Sequence, residues 1–504
     1  DALDPRAAVG WPPGSLGRGL SRTLLQVGGR TLLESQVAFL AGCGCKEILV
    51  VVGPGAAGRT VVAALQRIYG GGRSGVAAVP PAETAARDDD DDEDDEDAGG
   101  SKAAAAPAPQ EPTSYATPFG AVVRVAKVST SGGSTGDVLR ELDHRSLVKS
   151  DPFVLCAGDA YCPGPGPAAR RVHEAVEAHK RRKKVDADAA VTVVLAETSS
   201  SSPPDTNNTT SAGVRRLAPV LDEDLVVATD ATTQRILVWH DEQWTSADGS
   251  STSPFVPVPT QALTKSRRVA VRADLLDTRL DVCSSEVLLR YSENFDYQDA
   301  RRDFLANEVA NEELGLHAYA CVVPDYFGVA ADPRTLAALA ADAALGYGSA
   351  DVVGSTRGVV GAFRTKTPVT ATLVAPCALG AGCSVGDRAT LEASTVCRDS
   401  VVGADCVVVA SYVGPDCAIG AGARLEACYV GQGAAIRPGC AVGRGALVAP
   451  GALVDADVPP YGRVLAGGSG SGGAGRDGAE DDEDAAAGRS VENADDPLDD
   501  DDDD

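Results

Sequence analysis

The chain has 504 residues, a net charge of −27, 44% hydrophobic residues and 13 cysteines. The length and apolar content allow two or three buried cores, and no run of about 18 apolar residues is present to cross a membrane. No secretory leader is recognisable, and many cysteines without a disulfide-like pattern point to a reducing compartment, the cytoplasm.

The acidity is local: residues 88–97 are ten consecutive acids, and residues 480–504 carry fourteen more. The rest of the chain is nearly neutral, so both acidic runs read as solvated segments that cannot bury a core. Methionine is absent, even at position 1. The sequence is therefore read as a fragment or a faulty gene prediction, and neither end is interpreted. The histidines (His144, His173, His179, His240, His317) are scattered without an HxH or HExxH pair, so no metal site is expected on them.

Residues 1–19 are rich in Gly, Pro and Arg and lack a pattern. The spacing of Leu32, Leu33, Gln36, Val37 and Leu40 predicts a helix over 31–41, stopped by Gly42. Residues 48–52 read as a buried strand ending at Gly53-Pro54, followed by a helix over 56–69. An acidic and Ala/Pro-rich insertion occupies 88–112. A strand at 121–128, a helix at 138–148 and a strand at 153–156 come next, the last opening onto Gly158-Asp159. A helix over 168–184 ends in five bases, Lys180 to Lys184. These read as a solvated helix end suited to the negative pole of the helix dipole, and no direct nucleic-acid contact is expected. A strand at 189–196, a Ser/Thr/Asn loop at 198–213 and a hairpin over 225–229 and 236–239 complete the pattern. Alternating strands and helices imply a doubly wound α/β domain over 20–330. A connector at 331–375 joins it to a C-terminal region of different periodicity.

From Leu379 to Val454 an aliphatic residue returns every six residues: Leu379, Val385, Leu391, Val402, Val408, Val413, Ile419, Leu425, Val430, Ile436, Val442, Val448 and Val454. Occasional five-residue steps make the larger repeat 17. A fixed short period marks a solenoid whose turns bury their apolar faces only on each other, and three hexads per turn give a left-handed parallel β-helix over 376–465. The position four residues after most of these aliphatics is small: Cys383, Ala389, Thr395, Cys406, Cys417, Ala423, Ala434, Cys440, Ala446 and Ala452. Cysteine there serves as a small apolar filler, and no CxxC pair argues for ligation. Residues 466–504 read as a linker and an acidic tail.

An α/β domain ahead of hexapeptide repeats resembles the sugar-nucleotide pyrophosphorylases, a nucleotidyltransferase family. The resemblance implies a phosphate-cradling Gly-rich loop, a basic residue after it and a strand-end Asp for magnesium. Val154-Leu155-Cys156-Ala157-Gly158-Asp159 resembles the magnesium strand. Gly132-Gly133-Ser134-Thr135-Gly136-Asp137 stands where that family approaches the base. Thr135, Gly136, Asp137 and Asp159 are thus expected to be a vestigial nucleotide or metal site. The only Gly-rich candidate, Gly14 to Gly19, follows no apolar strand, and Arg22 stands where the lysine is expected. A sugar-nucleotide pyrophosphorylase of GDP-mannose type remains the alternative reading.

A closer resemblance runs from Ser134-Thr135-Gly136-Asp137-Val138-Leu139-Arg140 through Leu147 to Asp151. It continues with Asp274 to Asp277, Val282 to Val287, Asn294-Phe295-Asp296-Tyr297-Gln298, Arg302-Asp303-Phe304 and Asn311-Glu312-Glu313. In order and spacing these resemble the epsilon subunits of eukaryotic translation initiation factor 2B, the guanine-nucleotide exchange factor of initiation factor 2. The resemblance implies a scaffold without sugar transfer, partners in GDP-bound initiation factor 2 and in the gamma and other subunits, and no cofactor. Asn294 and Phe295 are the pair it implies for supporting exchange. No catalytic residue is expected, since exchange makes no bond. The C-terminal helical exchange module of that family is expected to be absent from these residues, because only linker and acid come after Val464.

Overall fold

Leu33 and Val37, Val61 and Leu65, and Ala168 and Val172 lie on three helices whose apolar stripes meet in one buried cluster. Leu139, Leu142, Val287, Leu288 and Tyr291 belong to a second cluster. Between them runs a strand at Ala189–Glu197 that is buried along nearly its whole length. Its residues alternate by the period of two that a strand imposes: Val194 and Ala196 enter the first cluster, Val191, Val193 and Leu195 the second. A sheet strand with helices on both faces is the α/β layering expected from the sequence.

The computed structural model describes residues 21–70, 113–129, 134–198, 225–241, 268–310, 315–344 and 365–465, with short pieces near 266, 347 and 360. Gly14 to Gly19, both acidic runs, Gly132-Gly133, most of the 198–213 loop and Asn311 to Glu313 lie outside the described residues.

In chain order the elements are β1 (Gln26–Val27), β2 (Arg30–Thr31), α1 (Leu32–Gly42), β3 (Glu47–Val52), α2 (Ala56–Tyr69), β4 (Thr113–Ala116) and β5 (Val122–Lys127). Next come α3 (Thr135–His144), β6 (Phe153–Cys156), β7 (Ala160–Tyr161), α4 (Pro167–Lys183), β8 (Ala189–Glu197), β9 (Leu225–Asp230), β10 (Ile236–Asp241), β11 (Val269–Arg272) and β12 (Leu275–Cys283). The last are α5 (Glu286–Glu293), a π-helical turn at Ala300–Leu305, α6 (Ala306–Ala310), β13 (His317–Val323), β14 (Gly328–Val329) and α7 (Pro333–Ala344). Thr31 caps α1 through a reciprocal box with Glu34, which fixes its start. The central sheet has the order β13-β8-β12-β6. β13 runs parallel to β8, while β12 is antiparallel to both β8 and β6. β3 pairs parallel with β5, and β4 closes on β5 from the other side.

The repeats form three stacked sheets of seven, five and five strands, all parallel, each strand pairing with the one a full turn later. This is the expected left-handed β-helix. Every predicted aliphatic position is buried inside it. The small positions need one correction. A five-residue step moves the inward site to Ser394, while Thr395 lies in register between Ala378 and Tyr412 on the outer side of its sheet. Ser394, Ser400 and Ser411 fill the interior as well. Their hydroxyls are satisfied by backbone: Ser394 Oγ donates to the Val408 carbonyl (3.2 Å) and Ser400 Oγ to that of Gly414 (2.8 Å).

Candidate functional site

Two stretches singled out from the sequence meet at the start of α3. Ser134 caps the helix: the Asp137 N–H donates to Ser134 Oγ, and the Ser134 N–H donates to Asp137 Oδ2, both at 3.1 Å. Gly136 donates its N–H to the Gln298 carbonyl (3.0 Å). A Cβ at Gly136 would lie 1.9 Å from the Tyr297 carbonyl oxygen, so only glycine allows the loop after α5 to approach this closely. Ser134 Oγ also donates to Gln298 Oε1.

Arg140, one turn along α3, completes the joint. Its guanidinium pairs with Asp137 (2.9 Å) and donates to the carbonyls of Tyr291, Asn294 and Tyr297, each at 3.2 Å. The Arg140 guanidinium, and then the Ser134 N–H, hold Asp137 below the usual carboxylate range. Asp143, further along the same helix, accepts from Ser292 Oγ (2.6 Å) and ties α3 to α5.

Asn294 ends α5, and its Oδ1 accepts the Asp296 N–H (3.1 Å), turning the chain. This turn projects Phe295 into solvent with 72% of its surface exposed. The Phe295 ring lies 5.4 Å from the Arg140 guanidinium, within cation–π range. Beneath the turn Tyr291 stacks on Phe304 at 5.1 Å, and Tyr297 meets both rings edge-on. The Tyr297 hydroxyl donates to the buried Glu308 (3.0 Å), whose carboxyl burial pushes up. Phe295 thus protrudes from a rigid base. The Asn294–Phe295 pair therefore stands beside Thr135, Gly136 and Asp137, a juxtaposition that the sequence alone does not reveal.

Asp159 sits elsewhere, in the turn between β6 and β7. Its carbonyl accepts the Ala330 N–H, and its nearly buried carboxylate faces Arg22 (3.3 Å) and Arg279 (3.4 Å). Two guanidinium groups thus occupy the carboxylate that a magnesium ion would need, and this donor set does not fit one. A grouping the sequence did not reveal joins Asp186, Asp188 and His317, with ligand atoms within 4.8 Å of one another. His317 Nδ1 and the Tyr319 hydroxyl are both hydrogen-bonded to Asp186 Oδ2. Among the described residues no helix is long and apolar enough to cross a membrane.

No family model matches the chain. Curated proteins do, among them two named translation initiation factor eIF2B subunit epsilon. That of Schizosaccharomyces pombe is 28% identical over 188 residues, covering 37% of this chain and 24% of its own. That of Dictyostelium discoideum is 24% identical over 210 residues, covering 42% of this chain and 26% of its own. The match thus spans about a quarter of the length of these relatives. Among solved structures, GDP-perosamine N-acetyl transferase from Caulobacter crescentus matches at 24% identity over 21% of this chain and 52% of that one, with a TM-score of 0.21. The acetyltransferase domain of PglB from Neisseria gonorrhoeae matches at 22% identity over 20% of this chain and 51% of that one, with a TM-score of 0.20. Over part of its length the chain is thus similar to epsilon subunits of translation initiation factor 2B.

Proposed function

We propose that the chain is a subunit of the translation initiation factor 2B exchange complex, acting as a scaffold and as a docking surface for GDP-bound initiation factor 2. The similarity to two epsilon subunits carries this reading. Guanine-nucleotide exchange works by stabilising the nucleotide-free GTPase, a difference in affinity between two states. It asks for a surface, not for a nucleophile or an acid–base pair. An exposed aromatic on a rigid base is the feature that anchors interfaces, and Phe295 beside Asn294 supplies it. The β-helix offers flat strand faces for the gamma paralogue and the other subunits, in the cytoplasm.

Thr135, Gly136, Asp137 and Asp159 are in this view remnants of a nucleotide site now used for internal packing. The capping box, the Gly136 contact and the two arginines on Asp159 support that view. The pyrophosphorylase alternative needs the Asp159 carboxylate for magnesium and gains no support from these contacts.

Binding of the chain, assembled with its sister subunits, to immobilised GDP-bound initiation factor 2 tests the proposal. Phe295→Ala is expected to weaken binding roughly tenfold or more. Folding stability should change by no more than about 0.5 kcal/mol, since the side chain is exposed. The chain alone is expected to release little GDP from initiation factor 2. Failure to bind sister subunits, together with pyrophosphate release from GTP or UTP and a sugar 1-phosphate, would overturn it.

A further inference from the structure

Arg140 reaches from α3 into the C-terminal end of α5. Its Nη1 is shared among the carbonyls of Tyr291, Asn294 and Tyr297, each at 3.2 Å, and its Nη2 donates to Asp137 Oδ1 (2.9 Å). Tyr291 lies in the last turn of α5, where carbonyls run out of intrahelical partners. A cation at that end also suits the negative pole of the helix. Asn294 and Tyr297 stand on either side of Phe295. The same guanidinium lies over the Phe295 ring, 5.4 Å from its centroid, while the Arg140 side chain is itself only 12% exposed. Gln298 Nε2 donates to the Phe295 carbonyl (2.7 Å) and holds the turn from another direction. One nearly buried group thus grips the backbone before and after an exposed aromatic and covers part of its ring.

We propose that Arg140 is a positioning residue for partner binding, holding the Phe295 ring in the orientation that GDP-bound initiation factor 2 receives. This inference rests on the exchange-complex reading. A solvent-exposed phenylalanine turns among its staggered rotamers, and freezing it on docking costs affinity. Here the guanidinium charge favours the rotamer that sets the ring against it. The clamped carbonyls keep the backbone from carrying the ring elsewhere. The ring therefore meets its partner by the side turned away from Arg140. Lysine at this position keeps the charge but not the fork, since a compact ammonium cannot span three carbonyls and Asp137 at once.

The chain, assembled with its sister subunits, is bound to immobilised GDP-bound initiation factor 2 as wild type, Arg140→Lys, Phe295→Ala and the double variant. Arg140→Lys is expected to weaken binding roughly fivefold, mostly through faster dissociation. In the Phe295→Ala background the same substitution should change binding by less than about twofold, because no ring remains to be positioned. A general loss of stability, followed by the melting temperatures of all four, would act alike in both backgrounds. In the free chain, the Arg140 side-chain resonances should carry a ring-current shift that disappears in Phe295→Ala. That variant folds because its side chain is exposed, so the contact is read even where Arg140→Lys does not fold. No loss from Arg140→Lys, or equal losses in both backgrounds, would overturn the proposal. Arg140 resonances indifferent to the Phe295 ring would do the same. A wild-type assembly that does not bind initiation factor 2, or whose binding ignores Phe295→Ala, would instead overturn the exchange-complex reading, and this role with it.

Discussion

Arg301 is held between two acids of β12. Its guanidinium lies 2.6 and 2.9 Å from Asp277 oxygens and 2.7 and 3.0 Å from Asp281 oxygens. Burial pushes both carboxyls up. At Asp277 the Arg301 charge prevails and holds it below the usual range, while at Asp281 burial prevails and keeps it above. Asp277 therefore contributes stability above its unfolded pKa, which is lost as pH falls through its lower folded pKa. Asp281, with the opposite shift, costs stability once pH rises above its unfolded pKa. Arg301→Ala removes the cation that both buried carboxylates bond, leaving Asp277 the weaker pull of Arg279 and Asp281 without its charge partner, and should destabilise the fold by about 3–5 kcal/mol near neutral pH. Loss of the Arg301 charge, which lowers both acids, lets burial raise them, so protonation relieves the penalty. Urea titrations at descending pH should show the gap to wild type narrowing toward about pH 5. A gap constant with pH would mean that the arginine contributes packing, not charge.

At the scale of elements, the β-helix tolerates little change where its turns stack. A Cβ on Gly420 would lie 2.4 Å from the backbone nitrogen of Pro438 in the next turn, and backbone cannot yield as a flexible side chain can. Gly420→Ala should cost about 1–3 kcal/mol, read as a lower denaturant midpoint. An unchanged midpoint would show that the turns can slide apart. The coil is legible in the sequence because its interior demands an aliphatic residue at each flat face, and that demand repeats along the chain. The five-residue steps blur it, which is why spacing alone puts Thr395 inside in place of Ser394. In the α/β part, α1, α2 and β6 stand close to their sequence signals. β1, β2 and β4 leave no such signal, being two to four residues long with no room for a period to show. The site is legible only in halves. Ser134 to Arg140 and Asn294 to Gln298 lie some 160 positions apart, and they join through backbone carbonyls, which leave no mark on residue type. The Arg22–Asp159 ion pair is hidden by its separation of 137 positions: each residue stands out alone, and only folding shows that one neutralises the other.

At the scale of the whole molecule, the α/β part and the β-helix share a buried seam. Tyr412 and Tyr429, on the outer side of one coil sheet, stack at 5.5 Å with rings 7° apart. They pack with Leu336, Leu339 and Ala343 of α7 and with Leu25 and Val27 of the first hairpin. The Tyr412 hydroxyl donates to the Gln26 carbonyl (3.0 Å) and accepts the Gln26 N–H (3.3 Å), bridging 386 positions of sequence. Both groups of Gln26 are buried, so Tyr412→Phe leaves them unpaired and should cost about 1–3 kcal/mol. Because the seam is built from residues of both parts, the two should melt together in calorimetry, and the Tyr412→Phe variant should still show one transition at a lower temperature. Leu339→Asp places an unpaired carboxylate in the same seam, where no cation compensates it. That variant should split the melt, the β-helix unfolding apart from the α/β part. If Leu339→Asp melts in a single unshifted transition, the seam carries no cooperativity, and the coil is an independent module whose attachment to the rest is incidental to stability.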